Sequence, residues 1–226
     1  MKHIALLTTL LLSASLQAVE KPYDYVFFEN SLMKGDYFYS QAKYTSPSWI
    51  KNARHHLPVA GSVAFTPGNS LELTYVSAPG GDWYSEIQYC PVRGNDFFRE
   101  PSTLSLQVQL RESMDAAALP NIAIRYADST YTQYLNLRNY LKDTRPGVWH
   151  SVSIPLKDFG LNAVNDTNIK KLAAVALRPG TADGNEYTIY LDDIELLPAS
   201  LPSVSALNAP VLQEAKAYER HIDIKW

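Results

Sequence analysis

Apolar residues recur at every second position through most of this chain, and that period leaves few folds open. SLELTYV puts Leu71, Leu73 and Tyr75 on one side, and TLSLQVQL sets Leu104, Leu106, Val108 and Leu110 against Ser105, Gln107 and Gln109. NIAIRYA gives Ile122, Ile124 and Tyr126, and WHSVSIPL gives Val152, Ile154 and Leu156. YTQYLNLRNYL gives Tyr131, Leu135 and Leu137, with Tyr134 and Tyr140 opposite. LAAVALRP is apolar in both phases and reads as a central strand. Successive side chains of a strand point to opposite faces, so each alternating run predicts a strand with one face in a core. Turn residues separate the runs: APGGD before Trp83, RPGV before Trp149 and PGTADGN before Tyr187. Helical pattern is confined to ESMDAAAL (112–119) and NDTNIKK (165–171), each suited to one short turn. Many short strands with frequent turns predict an all-β protein, an antiparallel β-sandwich of jelly-roll type.

One run breaks its own period. In YTIYLDDIEL (187–196) the apolar set is Tyr187, Ile189 and Leu191, then Ile194 and Leu196. The buried phase changes at Asp192-Asp193, where a bulge or a bound group is expected. The stretch PASLPSVSALNAP follows at once, so this strand also closes a domain.

The net charge of -3, without a cluster of Lys and Arg, argues against nucleic acid as a partner. Lys2 and His3 precede the apolar run IALLTTLLL and then small residues, which predicts a signal peptide over 1–18, cleaved after Ala18. No other segment is long and apolar enough for a membrane span. The single cysteine, Cys90, excludes an internal disulfide, and an exported chain without disulfides suits a bacterial periplasm or surface. The expected organisation is a module over 19–197, a linker over 198–210, and over 211–226 the start of a second unit in which YERHIDIKW alternates.

VWHSVSIPLKDF, TNIKKLAAVAL and EYTIYLDDIEL together resemble the second half of galactose-binding-like jelly-roll domains, a group that holds many carbohydrate-binding modules. YVFFENSLMKGDYFYS and LPVAGSVAFTPGNSLELTYVSAPGGDWYSEI resemble the N-terminal module of exported bacterial glucoamylase-like glycoside hydrolases, including enzymes of β-1,2-glucan. In that family the module precedes a fibronectin-type-III-like domain and a catalytic barrel. The tail APVLQEAKAYERHIDIKW is similar to the first two strands of the former, with Trp226 at its core tryptophan. The resemblance implies a non-catalytic carbohydrate-binding or accessory module of a β-glucan-acting hydrolase. Its partners would be a polysaccharide or oligosaccharide and the downstream domains of a longer chain. The alternatives are a structural spacer that binds no sugar and a small glycoside hydrolase.

Three groups of residues carry chemistry. Modules of this resemblance often hold a structural calcium ion between first and last strands, which points to Glu29, Asp192 and Asp193; the competing reading pairs one Asp with a cation and leaves the other in water. A glycosidase pair would need carboxyls ~5 Å apart facing a cleft, which neighbours on one strand do not provide. Among the aromatics, Trp83 and Tyr84 in GGDWYSEIQY, with Asp82 and Glu86 beside them, and Tyr134, Arg138 and Tyr140 are candidates to stack on and hydrogen-bond a sugar. NDFFRE, with Phe97, Phe98 and Arg99, is another; for each of these aromatics the competing place is the core. His55-His56 in KNARHHLP reads as a solvated loop.

Overall fold

The computed structural model describes residues 25–89, 101–161, 172–198, 214–217 and 222–225. The signal segment, Cys90, the NDFFRE cluster, the 165–171 turn, nearly all of the 198–210 linker and Trp226 lie outside them.

The alternating runs form two antiparallel sheets packed as a β-sandwich. One sheet contains β1 (Tyr25–Phe28), β3 (Trp49–Ile50), β4 (Val59–Ala60), β5 (Ser70–Val76), β7 (Pro101–Leu110), β10 (Trp149–Pro155) and β12 (Glu186–Pro198). Its order is β10-β7-β12-β5-β3, with β1 beside β12 and β4 beside β5. The other contains β2 (Ser40–Thr45), β6 (Asp82–Gln88), β8 (Asn121–Tyr126), β9 (Leu135–Asn136) and β11 (Leu172–Arg178), in the order β2-β6-β11-β8-β9. LAAVALR is therefore the central strand that its two apolar phases predict. β13 (Glu214–Ala217) and β14 (Ile222–Lys225) pair with each other as an antiparallel hairpin.

The inward phases meet in one core. Leu71, Leu73 and Tyr75 of β5, the four leucine and valine positions of β7, and Ile189 and Leu191 of β12 face Trp83, Ile87, Ile122, Ile124, Val175 and Leu177. Each large side chain moved out of water here stabilises the fold by about 1.5–3 kcal/mol. The 112–119 segment contains its expected turn, a 3-10 helix over Ala116–Ala118 capped by the Asp115 carboxylate on the Ala117 N–H.

The phase change in β12 is a bulge. Before it, Ile189 and Leu191 point into the core; after it, Ile194 and Leu196 do. The register against β7 slips between Asp192 and Glu195, and Asp193 takes φ +44°, the left-handed region that few non-glycine residues adopt.

The run 131–141 departs from its pattern. The alternation predicts a strand that would put Tyr134 and Tyr140 on one face, yet β9 ends at Asn136. The Asn136 side chain accepts the Arg138 N–H and donates to the Leu119 carbonyl at 3.1 Å, starting a 3-10 turn over Leu137–Asn139. A short polar side chain that satisfies nearby backbone competes with the sheet ladder, and here it wins.

Candidate functional site

The outer side of the five-stranded sheet carries a polar and aromatic lattice over a floor of alanines. Ala123, Ala174 and Ala176 have no more than 1% exposure, yet their phase is opposite to that of Ile122, Ile124, Val175 and Leu177, which fill the core. Small side chains there keep the floor low, and larger neighbours cover it. Pairing places Glu86 opposite Ala176 and Ala176 opposite Ala123, while Ala174 lies between Gln88 and Arg125.

Two networks stand on this floor. In the first, Tyr131 donates its hydroxyl to Glu86 Oε1 at 2.7 Å, and Arg125 Nε lies 3.1 Å from the same oxygen. The Arg125 N–H is out of line for a hydrogen bond, so this contact is an ion pair only. Glu86 is 5% exposed. Burial, helped by the Glu86 carboxylate, pushes the Tyr131 phenol up to about 12, so it stays a neutral donor. In the second network, Arg178 donates from Nε to the Tyr134 hydroxyl at 3.1 Å and from Nη1 to Asp82 Oδ2 at 2.9 Å. Burial raises the Tyr134 phenol while Arg178 pulls it the other way. The rings of Tyr131 and Tyr134 join the networks, 29° apart in plane with centroids at 6.0 Å. Across the floor Tyr84 lies beneath Lys43, with the ammonium 5.9 Å from the ring centre, and its hydroxyl reaches Gln41 Oε1 at 3.4 Å.

This arrangement can present flat apolar ring faces beside a guanidinium, carboxylates, hydroxyls and amides. That is the combination that recognises a polyhydroxylated ring: C–H groups against an aromatic face and hydroxyls on fixed polar groups.

Of the sequence candidates, Tyr84 and Tyr134 stand on this face. Trp83 does not: as an inward residue of β6 it is 1% exposed, its ring packs on Tyr75 with centroids 4.8 Å apart, and its indole N–H donates to Ser77 at 3.0 Å. It is a core residue, because its phase on the strand is that of Ile87. Arg138 is exposed in the 3-10 turn, and Tyr140 donates to Asp158 at 3.0 Å away from the lattice, both consequences of the short β9. Sequence reading missed Arg178 and Arg125, and it assigned Tyr131 to the apolar face of a strand. The available signal was phase: Arg125 and Arg178 each sit one step from inward residues of strands already identified. Trp149 is half-buried and packs edge-on against Phe65 at 6.0 Å.

The bulge of β12 forms a second polar corner. Asp192 is 0% exposed although it follows the outward phase of Tyr190, because the 65–66 backbone covers it. Its Oδ2 accepts the Phe65 and Thr66 N–H groups at 2.8 and 3.3 Å, and its Oδ1 accepts the Asp193 N–H at 2.9 Å. Burial outweighs these bonds and pushes the carboxyl up to about 6. No substrate has access to it, which removes the glycosidase reading of this pair. Asp193 accepts the Thr66 hydroxyl at 2.7 Å on Oδ2, while its Oδ1 is buried without a hydrogen-bond partner. The Asn30 side-chain oxygen is likewise buried and unpartnered, and Asn30 packs against Gly68 of the loop that carries Thr66. Glu29 precedes it, half-buried. Among the described residues no three His, Cys, Asp or Glu side chains gather as a metal site. Two orphaned oxygens, one carboxylate and one amide, nevertheless suit a hard cation that also takes backbone carbonyls.

The model of the family described as carbohydrate binding domain 30 matches residues 24–197. The chain belongs to this family. Over all 226 residues it is 98% identical to an exo beta-1,2-glucooligosaccharide sophorohydrolase (non-reducing end) of Parabacteroides distasonis, of which it spans 31%. It superposes on a crystal structure of beta-1,2-glucanase from Parabacteroides distasonis with a TM-score of 0.82 at 98% identity, covering 91% of this chain and 30% of that one. A family 30 carbohydrate-binding module of a cellulosomal cellulase from Clostridium thermocellum superposes with a TM-score of 0.57 at 17% identity, covering 78% of this chain and 98% of that one. At that identity the likeness is one of fold alone.

Proposed function

We propose that this family 30 module is a non-catalytic part of a longer β-1,2-glucan-acting hydrolase, and that it holds a short stretch of glucan on the outer face of its five-stranded sheet. The observation that carries the reading is the lattice over the alanine floor: the ring pair of Tyr131 and Tyr134, bracketed by Arg178, Asp82, Glu86 and Arg125. Support for the glucan class comes from the sophorohydrolase relative, of which this chain spans about a third. Tyr84 and Lys43 would form the opposite wall. Calorimetry of this chain against β-1,2-, β-1,3-, β-1,4- and mixed-linkage glucans tests it. Saturable heat with at least one glucan, lost on replacing Tyr131 and Tyr134, is the expected result. Silence with every member favours the spacer reading instead.

A calcium ion at the β12 corner belongs to the same proposal. Asp193 Oδ1 and Asn30 Oδ1 are the side-chain oxygens free to hold it, with Glu29 the further carboxylate; Asp192 already has both oxygens on backbone N–H groups. The ion would supply charge neutralisation between the first and last strands. Export, with cleavage after Ala18, completes the proposal, and N-terminal sequencing of protein secreted by a bacterial host checks it.

A further inference from the structure

At the outer edge of β2, outside the sheet face, lies a cleft of about 180 Å3 lined by Met33, Asp36, Phe38, Arg54 and His56. Its wall is a tight hairpin: Ala53 and His56 exchange both backbone hydrogen bonds at 2.9 Å, and the two residues between them, Arg54 and His55, have φ +53° and +68°. Such a turn favours Asn-Gly, because both central positions are left-handed. Here two bulky residues occupy them against their local preference, and sites where local preference is overridden concentrate where a side chain is needed for something else.

The turn places two groups. Arg54 donates from Nε and Nη2 to the two oxygens of Asp36, at 2.9 and 2.8 Å, and Asp36 is only 3% exposed. The fork is thereby held rigid, with Nη1 left as a donor facing away from the carboxylate. His56 has its Nδ1 on the Ser40 carbonyl, which can only accept. In the neutral ring the proton is therefore on Nδ1, and Nε2 is an acceptor. Beside them Phe38 is 65% exposed, its ring 33° from that of His56 with centroids 5.8 Å apart. An ion pair to the buried Asp36 explains Arg54 alone; it does not account for an exposed phenyl ring standing beside a fixed donor and a fixed acceptor.

We propose that this cleft is a second sugar subsite, taking one β-glucosyl ring. The apolar face of the ring stacks on Phe38, and two neighbouring hydroxyls meet Arg54 Nη1 as donor and His56 Nε2 as acceptor. A hydroxyl both gives and receives, so a vicinal pair matches this combination. The volume is below the ~300 Å3 at which drug-sized ligands begin, which limits the cleft to a single ring or a chain end. The sugar class rests on the reading of the sheet face given above; the cleft rests on its own geometry.

The test is an NMR titration of the whole chain, labelled at Phe, His and Tyr, with the β-1,2-linked glucose disaccharide. Phe38 and His56 signals are expected to move saturably in the native chain and in the Tyr131→Ala, Tyr134→Ala double variant. Phe38→Ala should weaken the His56 response at least tenfold, and Phe38→Tyr should keep it. Phe38 is a surface residue, and unchanged signals from core aromatics show that its variants fold. Movement confined to the Tyr131–Tyr134 region overturns the cleft and leaves the sheet face standing. No movement anywhere overturns both, and a His56 response that survives Phe38→Ala overturns the stacking.

Discussion

On the outer side of the five-stranded sheet, tyrosines and arginine–carboxylate pairs stand over alanines. On the outer side of the seven-stranded sheet, short neutral groups pair across strands, Thr74 with Thr188 at 2.9 Å and Ser151 with Gln107 at 2.9 Å, beside a more exposed ion pair of Lys51 with Glu72 at 2.6 Å. Both faces satisfy their hydrogen bonds by cross-strand pairing, the ordinary means by which a sheet face is stabilised. Each face also carries a ring pair and a buried carboxylate, but of different kinds. Trp149 and Phe65 meet edge-on beside Asp192, whose two oxygens are taken by backbone N–H groups, whereas Tyr131 and Tyr134 lie only 29° apart in plane beside Glu86, whose burial is tolerable because Arg125 and Tyr131 attend it. The comparison teaches that neither polarity nor burial alone marks a site; a desolvated ion pair beside near-parallel rings does.

The largest expected effect comes from breaking that charge. Glu86→Ala leaves Arg125 with 16% side-chain exposure and no counter-charge, and unfolding in urea should show a loss of about 3 kcal/mol or more. Next, replacing Tyr131 and Tyr134 together by Ala should weaken glucan affinity by about two orders of magnitude, the range of a binding hot spot, with the melting temperature shifted far less than by Glu86→Ala. Calorimetry and thermal unfolding on the same samples separate the two effects.

The third prediction concerns the β12 corner and pH. Asp192 has its carboxyl raised to about 6, so its ionised form costs the fold stability. That cost is fully present above pH 6, is relieved as pH falls through 6, and is gone below the ordinary carboxylate value near 4. The native chain in EDTA should therefore gain stability, by up to about 2 kcal/mol, between pH 7 and 4.5 relative to Asp192→Asn, measured by denaturant midpoints across that range. If the calcium proposal holds, adding the ion at pH 7 raises the melting temperature in a concentration-dependent way, and an unchanged melting temperature would falsify it. The smallest effect belongs to the threonine pair of the seven-stranded face. Replacing Thr74 and Thr188 together by Val removes both partners of one bond, and Glu72, which loses the Thr74 hydroxyl at 3.1 Å, keeps Lys51 at 2.6 Å, so stability should change by under about 1 kcal/mol and glucan binding not at all. A change in binding there would erase the contrast between the faces.

Much of the sandwich was legible because burial writes itself into phase. β5, β7, β8, β10 and β11 fall on runs that alternate or are wholly apolar, and the β12 bulge falls where the apolar set changes parity. The site was only half legible, for the same reason applied too loosely. Residue type makes Trp83 a stacking candidate, whereas its parity with Ile87 puts it inside. Alternation threads Tyr131, Tyr134 and Tyr140 on one strand, and a side-chain cap at Asn136 breaks that strand. Phase marks Arg178 and Arg125 as outward, but their meeting in one lattice depends on pairing between distant strands, which a linear pattern does not contain.

The position of β12 has a consequence for how the molecule is made. This last strand of the sandwich lies between β5 and β7 and also receives β1. β1, β5 and β7 all leave the ribosome with this shared partner still unsynthesised. Closure then depends on contacts between segments far apart in sequence, which fold slowly and leave strand edges open in the meantime. Translation that stops short of residue 186 would yield two half-sheets with no common strand, a species for chaperones and proteases rather than a smaller version of the module.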